Sequence, residues 1–354
     1  MSTEPLADLK KPPAGMDKPV VSLDEPPPHR LKGAQDFLHA HPTTIPAIVL
    51  LLGLALFSLV SERFFQPFNF SLILQQVTVI GIVAVAQTLI ILTAGIDLSV
   101  GAILVLASVV MGKLAVELGV PAPLAIVVGL AVGGFCGAIN GVLVARLKLP
   151  PFIVTLGTWN IFFALNLWYS ASETIRAQDI ETSAPLLQVF GIGFDVLGAR
   201  FTLGSILMIV IVAIVWYVLN WTRFGRHLCA TGDDPDAAAL AGVRTGRTVI
   251  WVYTIAGIVC AIAGWVIIGR IGSVSPQAGQ TANLDSITAV VIGGTSLFGG
   301  RGSIIGSLIG ALIVGVFRNG LALSGVNVLW QDFAVGLLII IAVGIDQWLR
   351  RASR

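Results

Sequence analysis

Charge is what this chain has least of: Asp, Glu, Lys and Arg make up 11% of its 354 residues, against about 25% in an ordinary soluble domain. So few charges cannot clothe the exterior of a water-soluble protein of this length, which argues against a soluble α/β enzyme. Cysteine is equally scarce. Cys136, Cys229 and Cys260 show no paired or metal-type spacing, and Cys136 and Cys260 lie inside apolar runs, so neither a disulfide framework nor a metal site is expected. A G-x-x-x-x-G-K-[ST] phosphate loop is also missing. After Lys32 the only lysines are Lys113 and Lys148, and neither precedes Ser or Thr. The chain itself is therefore not expected to hydrolyse ATP. Beyond the first 41 residues His227 is the only histidine, which leaves a membrane-embedded enzyme without its usual acid–base cluster. A net charge of +2 supplies no basic field for nucleic acid.

What fills the space is apolar: 56% hydrophobic residues and a mean hydropathy of +0.91. The solvent for most of this chain is lipid. A crossing helix needs roughly 20 apolar residues, and the runs 43–61, 72–94, 98–117, 123–145, 151–169, 203–220, 248–269 and 329–347 qualify. The stretch 283–320 is interrupted by Gly293-Gly294 and by Gly299-Gly300-Arg301-Gly302, and reads as a short span 284–297 followed by 303–320. The expected fold is an all-α, polytopic membrane helix bundle of about ten crossings, or eight if the broken regions are re-entrant.

Residues 1–42 carry Pro5, Pro12, Pro13, Pro19, Pro26, Pro27, Pro28 and Pro42 among nearly balanced acids and bases. They lack the basic-then-apolar layout of a secretory signal and are expected to form a disordered cytoplasmic tail. The membrane domain is placed at 43–347, with an uncleaved anchor starting near Thr43, and 348–354 as a second short tail. With ten crossings, Arg30, Lys32, Arg146, Lys148, Arg223, Arg226, Arg244, Arg247, Arg301, Arg350, Arg351 and Arg354 gather on one side. Only Arg63, Lys113, Arg176, Arg200, Arg270 and Arg318 fall on the other. The positive-inside rule then puts both termini in the cytoplasm and the acidic segment 170–200 outside.

Within the spans, Gly129, Gly133, Gly137 and Gly141 recur every fourth residue, as do Gly302, Gly306 and Gly310. In lipid, small residues drive helix association by letting backbones approach. Helix packing is the plain reading of Gly133, Gly137, Gly306 and Gly310; subunit contact or gating is the sharper one. Polar residues inside spans must be satisfied by protein or face water. Gln87, Asp97, Ser99, Asn140, Thr155, Thr158, Asn160, Thr295 and Ser296 are the candidate path lining, each also open to a structural role. Gln75, Gln76, Asn166, Asp285, Thr288, Gln331 and Asp332 belong to the same polar set. Neutral amides and hydroxyls dominate, which suits an uncharged, hydroxyl-rich solute. Asp97 stands at a break between two spans, where it caps the next helix or contacts a solute.

The loop 221–247 holds a candidate handle. Asp234 is a good N-cap, Pro235 suits the first helical position, Asp236 favours the helix dipole and Gly242 stops the helix. A helix this short is not stable alone, so Ala237, Ala238, Leu240 and Ala241 must dock, either on the chain's own surface or into a partner.

Three separated stretches, Thr93–Gly101 (TAGIDLSVG), Pro151–Thr158 (PFIVTLGT) and Ile292–Gly300 (IGGTSLFGG), resemble those of the ribose/xylose/fructose-type permeases of bacterial ATP-binding-cassette importers. The Asp234–Gly242 segment is similar to that family's coupling segment. The resemblance covers about 43–347 and implies an inner-membrane permease that pairs with a second copy. It implies further that a cytoplasmic ATPase, which binds ATP and magnesium, grips the coupling helix, and that a periplasmic sugar-binding protein docks around 170–200 and 271–283. The cargo it implies is a monosaccharide, with a lean to fructose and with ribose or xylose open. The competing reading is a stand-alone carrier or facilitator for a small neutral solute, which explains the spans but leaves the short helix without a task.

Overall fold

The computed structural model describes residues 43–337 together with Ile340 and Gly344. Both expected tails, and the end of the last expected span, lie outside the described residues. Among the described residues seven helices are long and apolar enough to cross a membrane: α2 (Pro67–Leu92), α3 (Val100–Gly112, prolonged by a π turn Lys113–Glu117), α4 (Ala122–Arg146), α5 (Pro151–Ser170), α7 (Leu203–Trp221), α10 (Thr245–Ile271) and α12 (Ile304–Leu323). Three shorter apolar helices are α1 (Thr44–Val60), α11 (Ala282–Ile292) and α13 (Val328–Leu337). A polytopic helical membrane protein is the architecture.

Local chemistry sets the ends. Pro67 and Pro151 open α2 and α5, where a missing N–H costs nothing and φ is already helical. Gly272 closes α10 at φ 80°, the left-handed stop that glycine takes without a Cβ clash. The central element is α2, which packs against α10, α11, α12 and α7 and is buried along almost all of Ser71–Leu92. Its polar groups are matched inside the bundle: Thr88 donates to Ser307 on α12 at 2.7 Å, and the Thr78 and Ser205 hydroxyls meet at 3.1 Å. By contrast α4 and α5 leave much apolar surface, including Phe135, Phe152, Ile153, Ile161 and Trp168, on the outside.

The structure departs from the sequence reading in four places. The eighth span is an 11-residue helix, about 16 Å at 1.5 Å per residue, because the backbone turns at Gly293-Gly294 before reaching the length of a crossing. The second helix begins at Pro67 rather than 72, since proline at its first turn extends it. Residues expected to be loop form α8 (Arg223–Asp233), which Thr222 caps by accepting from the Gly225 N–H at 3.3 Å. The alternation of charge and burial along α8 hides it from a search for apolar runs. Finally, the segment after α5 holds a short helix α6 (Ala177–Ser183), a 3-10 turn Pro185–Gly191 and a two-strand hairpin, β1 (Gly193–Val196) with β2 (Ala199–Thr202).

The glycine rows are seams within this chain. On α4, Gly133, Gly137 and Gly141 face α10: a Cβ on Gly133 would stand 2.5 Å from the Gly257 carbonyl oxygen, and one on Gly137 would collide with the Tyr253 carbonyl. Gly129 turns instead to Met111 on α3. On α12, Gly306 meets the Gly293 carbonyl and Gly310 the Ala289 carbonyl of α11, while Gly302 lies against the Thr295 side chain. At Gly133, Gly137, Gly306 and Gly310 the nearest opposing atoms are backbone, which cannot swing aside.

Gly137→Leu is accordingly expected to cost more than the ~1–3 kcal/mol of ordinary overpacking, seen as loss of monodisperse protein or a large drop in Tm in detergent. Gly157→Ala, where a Cβ meets nothing within 4 Å, is expected to leave Tm unchanged or raised; an equal fall in both would refute the seam.

Candidate functional site

Where helix pairing is interrupted in a membrane, the freed backbone groups must find partners inside the protein. The link between α2 and α3, Thr93–Ser99, is such an interruption, and Asp97 organises it. Its Oδ1 accepts from the Ser99 N–H at 2.6 Å and the Ser99 hydroxyl at 2.7 Å, just ahead of the first turn of α3. Asn140 on α4 donates to Ser99 Oγ at 2.8 Å and, more distantly, to Asp97 Oδ2 at 3.5 Å. From α2 the Gln87 carboxamide, oriented to satisfy both its ends, donates to the Asp97 carbonyl at 3.1 Å and accepts from the Asp97 N–H at 3.2 Å. Thr155 on α5 donates to the Ile96 carbonyl at 3.1 Å. Four helices thus converge on one buried carboxylate and its flanking peptides.

Of the residues singled out in the sequence, Gln87, Asp97, Ser99, Asn140 and Thr155 form this one network. Thr158 is buried one turn along α5 and donates to the Thr155 carbonyl at 3.4 Å. Asn160 does not join: it is exposed and donates to the Leu156 carbonyl of its own helix at 3.0 Å. Thr295 and Ser296 shape a second interruption, the loop between α11 and α12. There Thr295 Oγ1 accepts from the Ser303 N–H at 3.4 Å, Ser296 Oγ accepts from the Phe298 N–H at 3.2 Å, and the Ser296 N–H donates to the Arg301 carbonyl at 2.9 Å.

The two interruptions meet at the end of α8. The Gly300 N–H donates to the Leu92 carbonyl at 3.0 Å. Gly232 is pressed so closely on that same carbonyl that a Cβ would overlap it. Gly299, at φ 86°, would bring a Cβ to 2.5 Å from the Gly232 carbonyl and 2.9 Å from the Ala94 Cβ. Immediately beyond, Asp234 caps α9 (Pro235–Leu240) by accepting from the Asp236 and Ala237 N–H groups at 3.0 and 2.9 Å, and Gly242 ends the turn at φ 86°. Ala238 is buried against the chain, whereas Ala237, Ala241 and Leu240 are exposed, Leu240 at 91%. An aliphatic side chain so bare, on a capped helix anchored through α8, is an unpartnered knob. On α8, burial and the nearby Asp233 carboxylate push the Cys229 thiol up, which disfavours thiolate chemistry there.

A third constellation was not assembled from the sequence, where Arg318 counted among the bases of the outer side and Asp285 and Asp332 among the polar residues of the spans. Arg318 on α12 pairs with Asp285 on α11, donating at 2.8 Å to Oδ1 and 3.3 Å to Oδ2, and reaches Asp332 on α13 at 3.4 Å. The partners are 33 and 14 positions apart in sequence, so no local spacing betrays them. The available signal was an acid and a base placed toward the same end of consecutive apolar segments.

Comparison with known proteins agrees with this layout. Residues 69–343 match the family described as the permease component of branched-chain amino acid transport systems. The fructose import permease protein FrcC of Rhizobium meliloti is 56% identical over 353 residues, covering 99% of this chain and 98% of the relative. The ribose import permease protein RbsC of Bacillus subtilis is 39% identical over 306 residues, covering 85% and 92%. The galactose/methyl galactoside import permease protein MglC of Escherichia coli K12 is 36% identical over 311 residues, covering 84% and 92%. No solved structure matches.

Asp97→Asn keeps an acceptor for both Ser99 bonds and is expected to hold Tm close to the parent. Asp97→Ala strands the Ser99 N–H and hydroxyl in a dry site, at about 1–3 kcal/mol for each unsatisfied group, and is expected to unfold at a clearly lower temperature. Equal stability of the two variants would refute the organising role of the carboxylate.

Proposed function

This chain belongs to the family of branched-chain amino acid transport system permease components, and from that membership we propose that it is the membrane subunit of an ATP-driven importer of a monosaccharide, fructose before ribose or xylose. The observation that carries the reading is identity to a fructose import permease along essentially the whole of both chains. It sits in a multi-pass position in the inner membrane, with its termini in the cytoplasm by the charge distribution of its loops. The ATPase is a separate subunit, in keeping with a sequence that has no phosphate loop. Its handle is α9: Leu240 with Ala237 and Ala241 enters the ATPase, while Asp234, Pro235 and Gly242 hold the helix in shape and Ala238 keys it to this chain. A second copy of the chain completes the path, and a periplasmic sugar-binding protein docks at the opposite end, around 170–200 and 271–283.

The mechanism follows from what is rigid. ATP-driven movement of α9 is carried by α8, whose Gly232 is in backbone contact with Leu92 and Gly299. A displacement there acts at once on the link that holds Asp97 and on the loop that holds Thr295 and Ser296. Both loops lie between helices, so the bundle halves shift as bodies about their glycine seams rather than by bending. Direction is set by the different affinity of the two states for nucleotide and loaded binding protein.

Removing the chain from its host should abolish uptake of radiolabelled fructose. Uptake restored by the parent chain should be competed by unlabelled fructose more strongly than by ribose, xylose or galactose. Fructose flux through the purified chain alone in liposomes would overturn the reading in favour of a free-standing carrier. Leu240→Asp should reach the membrane normally yet lose the co-purifying ATPase and lower uptake by about tenfold or more, the effect of removing an interface hot spot; undiminished uptake would remove α9 from the coupling role.

A further inference from the structure

Far from α8 and α9, a cavity of about 240 Å³ opens between α2, α12 and α13, lined by Gln76, Arg318, Asn319, Gln331 and Asp332 with Ala322 and Val328. Gln76 lies sixteen residues before Leu92 on the same helix, so about 24 Å of helix separates this cavity from the backbone junction at Gly232. The volume far exceeds the ~10–15 Å³ that a single water needs. Its lining is unusual for a helix bundle in lipid, where each such polar group carries a desolvation cost and points to function.

The composition of the wall selects a ligand class. Amides from three helices offer both donors and acceptors. The guanidinium of Arg318 is held by Asp285 and Asp332, so its charge is offset and the cluster carries one net negative charge. That combination disfavours an anionic solute, while carboxylate, guanidinium and amide together suit vicinal hydroxyls. Two adjacent residues of one wall, Arg318 and Asn319, each keep a buried atom, Nε and Oδ1, without a partner among the described residues. Buried polar atoms are rarely left unmatched, and a rotation of either side chain is what brings that atom to a solute in the cavity.

The cavity also connects inward. Asp285, which holds Arg318, accepts from the Thr281 hydroxyl at 3.0 Å. Half a turn back on α11, Asn283 donates to the Leu98 carbonyl at 3.2 Å, and Leu98 follows Asp97. The helix α11 thus presents Asp285 to Arg318 and Asn283 to the Asp97 link, so one short rigid element touches both places.

We propose that this cavity is a solute-binding vestibule of the permease, taking a neutral polyhydroxyl molecule of monosaccharide size and handing it toward the Asp97 link. It rests on the import reading, and it adds to the permease a recognition step distinct from any made by a binding protein.

The test uses the full chain in nanodiscs, with neither ATPase nor binding protein, and saturation-transfer NMR with fructose and with the anion gluconate. Fructose is expected to receive magnetisation and gluconate little. Gln76→Leu and Asp332→Asn, both at the exposed rim of the cavity, are each expected to weaken fructose binding about tenfold, the loss of one hydrogen-bonding partner, with Tm unchanged. No fructose signal on the parent chain, equal signals for gluconate, or undiminished binding in both variants would overturn the vestibule. Should uptake into cells still require the chain in that event, the import reading stands without it. Should the chain bind fructose while cells lacking it import sugars normally, the import reading falls and the vestibule remains.

Discussion

Everything in this molecule turns on one constraint: a peptide group in lipid must be hydrogen-bonded within the protein. Continuous helices meet it by themselves, so the informative places are those where helices stop inside the bundle. Two among the described residues are Thr93–Ser99 and Gly293–Ser303, and each has its own solution. The first uses side chains from four helices, with Asp97 and Gln87 taking up both a carboxylate's and a peptide's bonding needs. The second uses short-range bonds of Thr295 and Ser296 and the freedom of Gly294, Gly299 and Gly300 to adopt positive φ. The two solutions share an atom, the Leu92 carbonyl, which accepts from the Gly300 N–H.

That shared atom explains why the segment leading into α9 is built as it is. Gly232 rests on the same carbonyl with no side chain between, so α8 meets the first interruption backbone to backbone, and its Asp233 side chain lies against Gly300 of the second. A side chain at this contact would act as a compliant spacer with rotamers to absorb displacement. Backbone against backbone has none. The Asp234 cap then stiffens the next turn, holding Leu240 away from the bundle at its full exposure. A stiff lever with an apolar tip has use only if something outside moves it, which fits a chain that carries no nucleotide-binding loop of its own.

Most of the architecture was legible from the sequence because lipid makes composition decisive: apolar runs gave the helices, and glycines at every fourth position marked seams, opposed by backbone at Gly133, Gly137, Gly306 and Gly310 and by side chains at Gly129 and Gly302. Asp234, Pro235 and Gly242 announced α9 because capping chemistry is local. Gln87, Asp97, Ser99, Asn140 and Thr155 were each visible as costly polar residues, but their convergence was not, since it depends on how four helices rotate against one another. Asn160 shows the limit, being as polar as Asn140 yet exposed on its helix. The helix α8 was missed because its buried residues, Gly225, Leu228, Thr231 and Gly232, include one large apolar side chain among glycines and a threonine, and apolar runs long enough for lipid do not register such a segment. The Arg318–Asp285 pair was missed because long-range ion pairs leave no local spacing.

The position of that pair bears on how transport stays directional. Were the polar lining concentrated at a single depth, the bundle would hold one solute-accessible region and could only open or close it. Instead the polar groups lie in two clusters, around Arg318 and around Asp97, with α11 supplying Asp285 to the first and Asn283 to the Leu98 carbonyl beside the second. Only the second lies beside the end that α8 controls. The first is walled partly by α12, whose Gly306 and Gly310 ride on α11, so a movement of the α11–α12 loop reaches it through a rigid helix pair. A displacement at Gly232 therefore has a physical route to both clusters, immediate at one and delayed by a helix length at the other. In the import reading proposed above, sequential opening of two sites by one lever keeps the path from being open at both ends together.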